Sequence, residues 1–77
     1  MTLADLNAVG QRAAILEITG DDAVAVRLME MGLTDGEEIS VVGFAPLGDP
    51  VEYAIRGYRL SLRKSEAGRV SVSPIAE

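Results

Sequence analysis

Apolar residues recur along this chain with two different periods, and the switches between them mark out the elements. Leu3, Leu6 and Val9 stand three apart ahead of Gly10, which predicts one short helical turn and then a chain reversal. Residues 13–18, Ala-Ala-Ile-Leu-Glu-Ile, read as a strand, with the face of Ile15 left open by its apolar neighbour. After Thr19-Gly20 the period lengthens. Val24, Leu28 and Met31 fall at i, i+4 and i+7, a stripe suited to lie across a sheet. Asp21 and Asp22 precede it, where a helix start wants capping oxygen and negative charge. Gly32, placed in a left-handed backbone, ends the helix and returns Leu33 to Leu28. The pattern predicts a helix of about ten residues.

Period two then returns. Asp35-Gly36 marks a turn, and Ile39 and Val41 alternate with Glu38 and Ser40 as in a half-buried strand. The alternation slips at Val42-Gly43-Phe44, where Gly43 permits a bulge. Val51, Tyr53 and Ile55, then Leu60 and Leu62 beyond Gly57-Tyr58, form a hairpin. A tight turn over residues 64–68 leads to a last strand at 69–73, which Pro74 stops. Five short strands with one helix between them lack the long crossovers that a parallel sheet requires. The economical solution is an antiparallel sheet that bends until it closes and removes its edges. The expected fold is mainly β: a small SH3-like antiparallel barrel of about five strands with one inserted α-helix, a single domain over residues 1–77.

Composition narrows how such a barrel is held together. A chain of 77 residues buries only ~60% of its unfolded surface. Apolar residues make up 48%, but there is no Trp and only two Tyr and one Phe, so aliphatic side chains must fill the interior. Cysteine is absent, so neither disulfides nor a thiolate metal site supplements the core. The N-terminus has no basic segment followed by an apolar one, and no run of about 18 apolar residues occurs, so neither export nor membrane insertion is expected.

The net charge of −5 opposes binding to a phosphate backbone, and no nucleic-acid partner is expected. The charge is unevenly placed. Residues 1–55 hold ten acids against Arg12 and Arg27, a balance of −8, whereas Arg56, Arg59, Arg63, Lys64 and Arg69 outweigh Glu66 and Glu77 to give +3 over residues 56–77. If the fold separates these segments the molecule is a charge dipole; otherwise they are ordinary solubilising charges.

Catalytic chemistry lacks its usual parts. Histidine and cysteine are both absent, which removes the common general base, the activated thiol and the soft metal ligands. Glu37-Glu38 and Asp21-Asp22 are adjacent pairs, but neighbours on a strand point to opposite faces, and turn and cap roles suit them better than a hard-cation site. The glycines have no phosphate-cradling spacing. No catalytic, cofactor-binding or metal-binding residues are therefore assigned.

The segment with its own character is Ala45-Pro46-Leu47-Gly48-Asp49-Pro50, where two prolines stiffen the backbone and end strand pairing. Leu47 at its centre either plugs the barrel end or is offered to a partner at low ordering cost. On the helix, Leu28, Met29 and Met31 read first as core rather than contact, and Met29, which lies off the Val24-Leu28-Met31 stripe, is the better candidate of the three for an exposed, adaptable contact. A proline-rich peptide ligand is disfavoured, because Phe44, Tyr53 and Tyr58 are too few to line an aromatic groove.

Three segments, Arg27-Leu28-Met29-Glu30-Met31-Gly32-Leu33 with Gly36 after it, Ala45-Pro46-Leu47-Gly48-Asp49-Pro50, and Leu60-Ser61-Leu62-Arg63-Lys64-Ser65-Glu66-Ala67, together resemble the FeoA family, the ferrous iron transport protein A group. The resemblance covers essentially the whole chain. It implies an SH3-like barrel with an inserted helix and a non-enzymatic, cytoplasmic role. The implied partner is the ferrous iron permease with a cytoplasmic G-protein domain, which the protein would regulate or help assemble, recruited through it to the inner face of the membrane. Leu28, Met29, Pro46, Leu47 and Pro50 are the candidates to form or support that contact, with self-association left open. The resemblance also allows an alternative, an interaction domain of an iron-responsive transcriptional regulator related to the C-terminal SH3-like domain of iron-dependent repressors.

Overall fold

The structure, a computed structural model, describes residues 1–75. It runs through a 3-10 turn at Leu3–Asp5, β1 (Arg12–Ile18), α1 (Ala23–Glu30), β2 (Glu38–Phe44), β3 (Val51–Ile55), β4 (Tyr58–Leu62), α2 (Lys64–Ala67) and β5 (Val70–Pro74). All strand pairs are antiparallel, and the sheet order is β4-β3-β2-β1-β5. Two bulges bend it, one between Ile15 and Glu17 on β1 and one between Val41 and Gly43 on β2, the second where the alternation slips.

Alternation decides the core. Ala13 and Ile15, Ile39 and Val41, Val51, Tyr53 and Ile55, Leu62, and Val70 and Val72 all point inward. Leu3, Leu6, Leu28 and Leu33 complete the cluster, so the interior is aliphatic apart from Tyr53. Ile15 takes the inner face and leaves Leu16 half-exposed.

The helix forms as its signals dictate. Asp22 is the N-cap and accepts the Ala25 N–H at 3.2 Å. At the other end the Gly32 N–H reaches the Met29 carbonyl at 3.0 Å and the Leu33 N–H reaches Leu28 at 3.3 Å, with Gly32 at φ +96°: a Schellman ending. Leu28 is fully buried, and Val24 and Met31 pack at the margin of the core.

Four sequence expectations need correction. Val9 is 65% exposed, because the 3-10 turn ends at Leu6 in extended backbone and a separate turn follows, closed by Gln11 N–H on Ala8. The segment expected as a tight turn at 64–68 contains a second helix, α2, whose start is held by the Glu66 carboxylate accepting the Arg63 N–H at 2.9 Å. Pro74 is the last residue of β5 and pairs with Ala13, which is tolerated because β5 lies at the end of the sheet.

The fourth concerns closure. β4 and β5 end the sheet without pairing with each other, and α2 connects them. The two edges are treated differently. Met1 and Thr2 lie along β5, through the Thr2–Ser71 bridge and the Val72 N–H on the Met1 carbonyl at 2.9 Å. No such cover pairs with the outer edge of β4 among the described residues.

Candidate functional site

The double-proline segment folds as a closed loop between β2 and β3. The Ala45 N–H donates to the Pro50 carbonyl at 3.0 Å across its mouth, and the Gly48 N–H donates to Ala45 at 2.7 Å. Pro46 and Leu47 are therefore the two central residues of a β-turn, with proline in the position its fixed φ favours. Gly48 follows at φ +87°, and the Asp49–Pro50 peptide is cis. Asp49 also accepts the Lys64 N–H at 3.0 Å, which fastens the loop to the start of α2.

A loop fixed at its mouth, its tip and its flank presents one apolar side chain. Leu47 is 96% exposed, so it does not plug the barrel. Pro46 and Pro50 are exposed beside it. Pro50 borders two shallow hollows. One, of about 360 Å³, lies between α1 and β4 and includes Arg27, Met31, Leu62 and Glu66; the other contains Phe44 and Ala45.

Of the helix residues, Met29 is 46% exposed and Leu28 is fully buried. Met29 does not line the hollows that Pro50 borders. It borders a separate, mostly apolar depression with Leu16, Ile18 and Leu33. Of the sequence candidates, Met29 and Leu47, whose exposure the sequence left open, are exposed apolar points, and Leu28 can act only by packing the helix in place. Sequence reasoning missed Leu16 and Phe44, whose signals were the doublet Ile15-Leu16 and the apolar residue just past the slip at Gly43. A bulge lets such residues leave the regular alternation.

Charge is interleaved rather than separated. Arg56 pairs with Glu37 at 3.3 Å and Arg69 with Asp22 at 2.7 Å, and Arg27 pairs with Glu66, so the basic C-terminal third folds back onto the acidic part. Arg59, Arg63 and Lys64 make no side-chain ion pair within 4.0 Å among the described residues. No three His, Cys, Asp or Glu side chains of the described residues gather closely enough to hold a metal ion. No helix among them is long and apolar enough to cross a membrane.

Comparison with known proteins adds identity to this geometry. The family model described as "FeoA domain" matches residues 1–74. The chain is 40% identical over 76 residues to an Fe(2+) transport protein A/Fe(2+) transporter FeoB fusion protein of Porphyromonas gingivalis, covering 99% of this chain but only 9% of that protein's length. An FeoA-like protein of Clostridium acetobutylicum superposes with a TM-score of 0.91 at 36% identity, over 100% of this chain and 88% of that one. FeoA of Stenotrophomonas maltophilia, solved with zinc and described as a prokaryotic SH3 domain protein, gives 0.82 at 36% identity, over 95% and 89% of the respective chains. With an SH3-like sheet, an inserted helix and a family match from end to end of the described fold, the chain belongs to the FeoA domain family.

Proposed function

We propose that this chain is a non-enzymatic, cytoplasmic accessory protein that binds the ferrous iron permease through the permease's cytoplasmic, G-protein-bearing part, and regulates or helps assemble it. The observation that carries this reading is the Porphyromonas relative, in which an FeoA sequence and an FeoB transporter share one polypeptide. Fusion holds two modules at high effective concentration, an advantage only if they meet in their work. This chain spans only 9% of that relative's length.

Two exposed points suit docking. Leu47 sits on a turn whose conformation is already fixed, so little entropy is lost when a partner covers it. Pro46 and Pro50 flank it with apolar surface. Met29 offers an adaptable thioether at the second point, beside Leu16. Leu28 supports it from beneath by anchoring α1 in the core.

A pull-down with the permease's cytoplasmic part tests the reading. The parent chain is captured, and Leu47→Asp and Met29→Asp, each folded, lose about tenfold or more in affinity. Folded variants that bind as well as the parent would show the wrong surface. No capture of the parent would show the wrong partner.

A further inference from the structure

The outer edge of β4 is built to accept another strand. Arg56 and Gly57, both at positive φ (51° and 85°), form the two-residue turn between β3 and β4. In such a hairpin the closing pair, Ile55 with Tyr58, exchanges main-chain hydrogen bonds, and so does every second pair after it: Tyr53 with Leu60, and Val51 with Leu62. The N–H and C=O groups of the residues between, Arg59 and Ser61, therefore point away from β3. No main-chain partner reaches them among the described residues. The open stretch ends at Arg63, whose N–H goes to Glu66 and whose carbonyl accepts the Ala67 N–H at 2.9 Å.

The charge beside this edge selects its occupant. Arg59, Arg63 and Lys64 are exposed cations without ion-pair partners among the described residues, in a chain of net charge −5 whose other arginines are matched to acids. A second copy joined edge to edge would lay the same cations on both sides of the joint, and like charges across adjacent strands are destabilising. The β5 edge of another copy is already paired with Met1 and Thr2.

We infer that β4 binds an extended acidic segment of another protein, which adds as a sixth strand. Its residues opposite Arg59 and Ser61 lie on the outer face, where acids meet the free guanidinium. The alternate residues turn inward, toward the hollow between α1 and β4, and are apolar where they meet Met31, Pro50 and Leu62 beside the paired Arg27 and Glu66. Main-chain bonds supply the affinity, and the cations supply the choice of partner. The inference holds whichever protein carries the segment.

The test uses the full chain, isotope-labelled, and a synthetic peptide of about ten residues alternating Glu and Val, beside its Lys-for-Glu counterpart. The acidic peptide is expected to shift and protect the Arg59 and Ser61 amides. The lysine peptide binds about tenfold more weakly or worse, and about 0.5 M salt weakens the acidic one severalfold. Ser61→Pro removes an outward N–H without touching a β3 bond and abolishes binding. Arg59→Glu, which leaves the backbone alone, reduces it about tenfold. Absence of binding by the acidic peptide, equal binding by both peptides, shifts confined to the Leu16–Met29 depression, or a β4-mediated dimer that Ser61→Pro disperses would each overturn the inference. Because the probe is a peptide, its failure would leave the permease reading standing.

Discussion

Arg69 grips both carboxylate oxygens of Asp22, Nη1 to Oδ2 at 3.1 Å and Nη2 to Oδ1 at 2.7 Å, while the same carboxylate caps α1. Arg69 also donates to the Thr19 carbonyl, from Nε at 3.3 Å and Nη2 at 3.2 Å. One side chain just before β5 thus fixes where α1 begins, 47 positions away in sequence. Glycine at position 20 makes room for it, since a Cβ there would collide with the guanidinium.

That grip has a pH signature. The Arg69 hydrogen bonds, then the Ala25 N–H, hold the Asp22 carboxyl below its ordinary value of 3.8. A depressed carboxyl favours the fold above its unfolded value, and the contribution is lost as pH falls through the folded one. Asp22→Asn retains a capping oxygen but cannot titrate. Its melting temperature should lie below the parent's at neutral pH and converge on it as pH drops well below 3.8. A gap that persists undiminished in acid would mean that charge at position 22 is irrelevant.

Tyr53 carries the opposite sign. Its ring is fully buried in the core, and its hydroxyl finds no hydrogen-bond partner among the described residues. Burial, and secondarily the Asp49 charge, pushes the phenol up to about 12. The neutral form is favoured in the fold, so stability falls as pH climbs from about 10 toward 12. Tyr53→Phe removes an unsatisfied polar atom and keeps the packing. It should stabilise the protein by about 1 kcal/mol in urea unfolding at neutral pH and abolish the alkaline loss. Destabilisation would reveal a partner for the hydroxyl.

Tyr58 donates its hydroxyl to the Met31 carbonyl at the end of α1, and it stands where a Cβ on Gly32 would go. Gly32 also lies at φ +96°. Gly32→Ala should therefore cost about 1–3 kcal/mol, read as a lower denaturation midpoint. Adding Tyr58→Phe should recover part of the loss. Strict additivity of the two changes would mean that the two residues do not meet.

Leu28 and Leu47 are neighbours in the proposal but opposites in the fold. Leu28→Ala removes a fully buried side chain and should cost about 2–5 kcal/mol. Leu47→Asp changes a side chain that is 96% exposed and should move stability by no more than about 0.5 kcal/mol. Chemical denaturation of both variants checks the contrast. A large loss for Leu47→Asp would place that side chain in the core.

The sequence was most legible where several local signals agreed. Asp22, the Val24-Leu28-Met31 stripe and Gly32 all specify the same helix, and each serves as its chemistry suggests. The β3–β4 hairpin was equally clear, because strict alternation survives through both strands. Helix α2 was not legible. Four residues are too few to display a helical period, and its N-cap is Arg63, held by Glu66 rather than by its own side chain. The fate of the edges was hidden for another reason: whether β4 meets β5 depends on how far two bulges bend the sheet, which no local pattern encodes. Leu47 and Met29 were identified singly, but the placement of Met29 on a depression with Leu16, Ile18 and Leu33, apart from the exposed loop tip that carries Leu47, follows from the packing of α1 against the sheet.

The proposed docking of the permease rests on two separate exposed points, Leu47 on the stiff double-proline loop and Met29 on α1. Amide-shift mapping of the labelled chain during titration with the permease's soluble cytoplasmic part measures this directly. The account predicts that the largest changes fall on residues 45–49 and around Met29, while β1 and β5 amides remote from them stay still. Changes confined to the β1–β5 face, or none at saturating partner, would contradict it.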